Sequence, residues 1–114
     1  MFTKKEHDQN SIIITPKFNI EIQNLELVQE MKNEILSWLS KRENPNVIMN
    51  LEECDFIDST GLGNLIRIYE QLRRKNGVFK MCNINEKIKV LLEMTTMDNL
   101  IKCYDSLDDA LKSL

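Results

Sequence analysis

The sequence is short of the residues from which many catalytic sites are built. Its 114 residues contain one histidine, His7, close to the N-terminus. A Ser-His-Asp triad or a histidine-based metal cluster therefore lacks a key member, and neither an enzyme nor a metal site is expected. The three cysteines, Cys54, Cys82 and Cys103, are odd in number and widely separated. They form no C-x-x-C pair and no zinc spacing, and they read as reduced, partly buried thiols. No apolar run is long enough to span a bilayer, so no membrane insertion is expected. The charged start, Met1 to Asn10, lacks the apolar stretch of a secretory signal. A cytoplasmic protein is the expectation. Positive charge is not in excess: 15 Lys+Arg stand against 18 Asp+Glu, for a net charge of -3. That balance disfavours nucleic acid as a partner, because phosphate neutralisation dominates such affinity. Glycine is also scarce. There are three, and Gly61 and Gly63 fall within one turn of chain.

What is present is an ordinary globular balance, with 42% apolar and 29% charged residues. The length suits one domain able to bury a core without a disulfide or metal staple. Residues 1–10 read as a flexible polar tail, and residues 11–114 as the single domain. Ser11 to Thr15 is β-branched and reads as a strand, with Pro16 marking an edge or a bend. Phe18, Ile20 and Ile22 alternate with polar residues, which predicts a half-buried second strand. Asn24 is a candidate cap for a helix whose stripe is Val28, Met31, Ile35, Trp38 and Leu39. Val47 to Leu51 reads as a strand buried on both faces. A second helical stripe runs through Leu62, Leu65, Ile66, Tyr69 and Leu72, and Asn76-Gly77 stops it. Val78 to Ile84 predicts a strand, Ile88 to Thr95 a helix capped by Asn85, and Leu100 to Tyr104 a short strand. Ser106 to Asp109 resembles a capping box ahead of a final helix. The order β, β, α, β, α, β, α, β, α implies an α/β fold with a mostly parallel sheet.

The segment Asp58-Ser59-Thr60-Gly61-Leu62-Gly63 joins a strand to a helix. Ser59 or Asp58 can serve as the N-cap. Two glycines in a first turn cost about 2 kcal/mol relative to alanine, so either close packing or access for a partner has to offset them. The segment is not a Walker A loop, a G-x-G-x-x-G dinucleotide loop or a G-x-S-x-G elbow. No cofactor is expected. What remains is a hydroxyl beside a carboxylate at a helix start, a place where another protein can modify it.

Residues 47–63 resemble the signature of the STAS domains of bacterial anti-sigma factor antagonists: an apolar strand, then Leu-x-x-(apolar)-x-(aromatic)-(apolar)-Asp-Ser-(Ser/Thr/Ala)-Gly-Leu-Gly. The likeness extends over about residues 12–114, through Gly77 to Met81, Leu91 to Asp98 and Asp105 to Leu111. It implies the STAS fold, with about four helices largely on one side of the sheet. It implies that Ser59 is phosphorylated by a partner that is both anti-sigma factor and serine kinase, and that Thr60 is the lesser acceptor. The unphosphorylated form would bind that factor and release the sigma factor, in stress response or sporulation. A metal-dependent serine phosphatase would reset the switch. The implied partner-binding residues are Asn24, Asp58, Ser59, Thr60, Gly61, Leu62, Gly63 and Asn64. An alternative within the resemblance is a non-switching STAS scaffold in a stress-signalling or lipid-transport complex. Two stretches depart from the family pattern. A Gly-(Glu/Asp)-(Leu/Ile)-Asp segment is here Glu21-Ile22-Gln23-Asn24, and Thr-Gly-Leu is Thr95-Thr96-Met97.

Overall fold

The computed structural model describes all residues, Met1 to Leu114. The elements in chain order are β1 (Phe2–Asp8), β2 (Ser11–Pro16), α1 (Leu25–Ser40), β3 (Asn46–Asn50), α2 (Ser59–Arg74), β4 (Val78–Cys82), α3 (Glu86–Met94), β5 (Lys102–Tyr104) and α4 (Leu107–Lys112). Short 3-10 turns at Ile22–Asn24 and Met97–Asn99 precede α1 and β5. The five strands lie in sequence order; β1 is antiparallel to β2, and the remaining neighbours are parallel.

The register explains the apolar strands. Ile12 pairs with Val47 and Ile14 with Met49, while Val47 pairs with Phe79 and Met49 with Met81. Their side chains share one face, and α1, α2 and α3 cover it with Val28, Met31, Ile35, Leu65, Ile68, Leu72, Ile88 and Leu92. Ile13, Ile48 and Cys82 point to the opposite face, where Ala110 of α4 covers them. Three helices on one face and one short helix on the other match the expected layering. β2 and β3 are buried on both faces, which is why they read as unbroken apolar runs. Lys80 also lies on the α4 face and is buried. Its Nζ donates to the carbonyl oxygen of Ser113 at 3.1 Å and to Ser113 Oγ at 2.6 Å, fastening the end of α4.

Two expectations need correction. Residues 1–10 are not a flexible tail, because Phe2–Asp8 forms the edge strand β1. Apart from the half-buried Phe2, every side chain of β1 is exposed, so no apolar pattern announces it. Backbone pairing to β2 holds it, aided by ion pairs from Lys4 to Glu34 and from Arg42 to Glu6. Charged side chains suit an edge that must not recruit further strands. The second correction concerns Phe18 to Ile22. These residues do not extend the sheet; they make an isolated bridge, Ile20 to Ile57. Phe18 and Ile20 are buried, but Ile22 is exposed. The polar Asn19 is used structurally: its Oδ1 accepts from the N–H groups of Asp55 at 2.9 Å and Phe56 at 3.2 Å. A loop laced to a loop has mimicked a strand's alternation.

Candidate functional site

The predicted segment lies where the connection from β3 enters α2. Asp58 has extended backbone and caps the helix, its Oδ1 accepting from Gly61 N–H at 2.8 Å. Its Oδ2 accepts from Ile22 N–H at 2.9 Å. One carboxylate therefore joins the start of α2 to the turn before α1. Backbone bonds reinforce the joint, from Ile20 N–H to the Phe56 carbonyl at 3.0 Å and from Asp58 N–H to the Ile20 carbonyl at 3.2 Å. Of the two cap candidates, Asp58 is the one used, which leaves Ser59 outside the capping role.

The motif divides into an inner and an outer set. Gly61, Leu62 and Asn64 are buried, whereas Ser59, Thr60 and Gly63 are exposed. The two glycines have different reasons. A Cβ on Gly61 would lie 1.8 Å from the Ile20 carbonyl oxygen, while one on Gly63 would meet nothing within 4 Å. Leu62 and Asn64, both among the implied partner-binding residues, are buried here and do not reach outward. Asn64 donates to the Thr60 carbonyl at 3.0 Å and accepts from Lys32 Nζ at 3.1 Å. Asn24 is half-buried and makes no side-chain cap; its Nδ2 donates back to the Asn19 carbonyl at 2.8 Å. Ile22, by contrast, is 55% exposed, and Phe56, just ahead of Asp58, is 45% exposed.

Ser59, Thr60 and Gly63 line a shallow depression together with Gln29 and Lys32 of α1 and Arg67 of α2. The two cations were not singled out as site residues by sequence reasoning. Arg67 carried a readable signal, since Ser59, Gly63 and Arg67 are spaced four apart on one helix. Lys32 arrives from another helix and had none. No three His, Cys, Asp or Glu side chains converge as metal ligands. All three cysteines are free, with Cys54 and Cys82 buried and Cys103 exposed. Burial raises the Cys54 thiol, and it pushes Cys82, with Glu52 adding to the effect, up to about 11.

The family model of the STAS domain matches residues 3–110. The chain belongs to the STAS domain family. The STAS fold agrees with its structural neighbours. A Thermotoga maritima protein, provisionally named an anti-sigma factor antagonist, has a crystal structure that matches with a TM-score of 0.86 at 26% identity, covering 98% of this chain and 92% of that one. The anti-sigma F factor antagonist of Paenibacillus polymyxa is 24% identical over 109 residues, 96% of this STAS chain and 91% of the relative. The Bacillus anti-sigma factor antagonist SpoIIAA, solved in unphosphorylated and phosphorylated forms, shares the fold. Its TM-scores are 0.82 and 0.79 at 16% and 14% identity, with 99% of this chain covered in both and 95% and 98% of SpoIIAA. No helix of the STAS domain is long and apolar enough to cross a membrane.

Proposed function

We propose that this STAS domain is an anti-sigma factor antagonist switched by phosphorylation of Ser59. One observation carries the reading. Ser59 is exposed on the first turn of α2, and its neighbour Asp58, not Ser59, holds the cap. A kinase can transfer the γ-phosphoryl group of ATP to Ser59 Oγ, releasing ADP and a proton, without breaking an internal bond. The names of the relatives support the antagonist role within this reading. The protein is a binding partner rather than an enzyme, and it works in the cytoplasm.

In the unphosphorylated state, an anti-sigma factor with serine kinase activity docks over Ser59, Thr60 and Gly63. Ile22 and Phe56 offer exposed apolar contacts beside them. Docking frees the sigma factor. Phosphorylation adds about -1.5 to -2 charges at the centre of that surface. Desolvating that charge under a partner that offers it no counter-charge costs several kcal/mol, and a loss of about 4 kcal/mol weakens binding nearly a thousandfold. A metal-dependent serine phosphatase restores the binding form.

The test incubates the protein with ATP and the anti-sigma kinase of its own organism. Phosphate is expected on Ser59, absent in Ser59→Ala, and Ser59→Asp is expected to bind the kinase at least 100-fold more weakly. A stable complex with no transfer would replace the switch with a static scaffold. Equal binding by Ser59→Asp would end the exclusion mechanism.

A further inference from the structure

Three features of α2 coincide beside Ser59. First, Ser59, Gly63 and Arg67 follow one another at four-residue intervals, and all three line the same depression. Helical side chains lean toward the N-terminus, so Arg67 leans over the turn that carries Gly63 and toward Ser59. Second, nothing occupies the space beside Gly63, where a Cβ would have no neighbour within 4 Å. Gly61 is demanded by close packing, but Gly63 is not. It leaves an open lane along the helix surface between Ser59 and Arg67. Third, the depression is lined by two cations and no carboxylate. Neither Lys32 nor Arg67 takes part in an ion pair. Lys32 is held in place by Asn64 Oδ1, and Arg67 has no side-chain hydrogen bond. The nearest acid on the N-terminal side, Asp58, has both oxygens engaged by backbone N–H groups. Glu70 lines the adjoining groove, which Lys32, Gly63 and Arg67 also border, and it forms no ion pair with either cation.

We infer that Arg67 and Lys32 form a built-in receiver for a phosphate on Ser59, with Gly63 leaving the lane through which Arg67 reaches it. The inference rests on the phosphorylation reading above and adds a regulation to it. The guanidinium forms a charge-assisted pair with the phosphate oxygens. Lys32 adds a second positive charge from α1. The modified state is then held by the domain itself. The phosphate is drawn down onto the surface, where a phosphatase must first displace Arg67. The receiver also assigns Asn64 a task, because it positions the Lys32 ammonium at the rim.

The experiment uses the full chain with phosphoserine installed at position 59 during translation, so it does not depend on any kinase. Phosphorus NMR follows the second ionisation of the phosphate. The titrating and charged groups facing it are Lys32 from α1 and Asp58 and Arg67 from the α2 segment, with Glu70 in the adjoining groove. The midpoint is expected about one unit below that of phosphoserine in an unstructured peptide, since neighbouring cations favour the dianion. Arg67→Gln, Lys32→Gln and Gly63→Leu should each return about half a unit, the last by blocking the lane while keeping both cations. Gly63→Leu also favours the helix, so unfolding does not confound it. Identical midpoints in the native chain, Arg67→Gln and Gly63→Leu would overturn the receiver. A midpoint that follows Arg67, with no transfer of phosphate to Ser59 by the organism's kinases, supports the receiver and removes the switch. Transfer to Ser59 with a midpoint indifferent to Arg67 removes the receiver alone.

Discussion

The α-carbon of Gly61 sits under the carbonyl oxygen of Ile20 so closely that a Cβ there would come within 1.8 Å of it. The contact joins the turn before α1 to the first turn of α2, and it leads to opposite expectations for two glycines. Gly61→Ala forces the backbones apart and is expected to destabilise the domain by about 2 kcal/mol or more, despite the better helix propensity of alanine. Gly63→Ala meets open space and is expected to stabilise it by about 1 kcal/mol. Urea denaturation of the two variants checks the pair; equal effects would refute the distinction.

Asp58 stands at the same joint. Removing its carboxylate in Asp58→Ala takes away the α2 cap and the tie to Ile22 together. A loss of about 2 kcal/mol is expected. Amide hydrogen exchange gives a local readout, because the N–H groups of Gly61 and Ile22 should gain more in exchange rate than those of β3, which follow only the global loss. Faster exchange at Gly61 alone would mean that the second oxygen contributes nothing.

Thr96 has a φ of 58°, in the left-handed region, and is β-branched. That conformation costs an L-residue about 1–2 kcal/mol. Thr96→Gly relieves it but loosens the unfolded chain, so a net gain of about 1 kcal/mol is expected. Thermal and urea midpoints should both rise, with the urea slope unchanged. Asn44, Asn76 and Asn83 share the conformation, but asparagine tolerates it well.

The Cys82 thiol gives a pH dependence. Burial raises its pKa from 9.0 to about 11, so the folded state retains a proton that the unfolded state releases. Its contribution to stability is complete below pH 9.0 and is lost as pH climbs toward about 11. Denaturation measured at intervals across that window should show a decline that is shallower in Cys82→Ala. At neutral pH the same shift keeps Cys82 slow to alkylate, because the thiolate is the reacting form.

Much of the architecture was legible because its causes are local. The stripe on α1 matches its buried face, and Asn85 and Ser106 cap α3 and α4 by accepting from the N–H groups of Ile88 and Asp109. The α2 stripe was less complete: Ile68 is fully buried, while Ile66 and Tyr69 are only half-buried. β1 escaped because an exposed edge strand needs no apolar face; its cause lies in the unpaired side of β2. Phe18 and Ile20 misled because two buried residues on a bridging loop alternate as a strand would. At the site, Asp58 and Gly61 were legible as a helix start. The need for Gly61 was not, since the atom it must clear belongs to Ile20, distant in the chain. Lys32 was hidden for the same reason.

The double engagement of Asp58 separates the frame of this surface from what is written on it. The bonds that fix Ile22 relative to α2 come from a carboxylate and from backbone, and the side chains of Ile22, Ser59 and Thr60 contribute none of them. These exposed side chains can therefore be exchanged without moving the scaffold that spaces them. Under the proposed function, a lineage can retune its partner at Ile22 while Ser59 keeps its geometry, so paralogous copies of one such domain are free to diverge in address while sharing a mechanism.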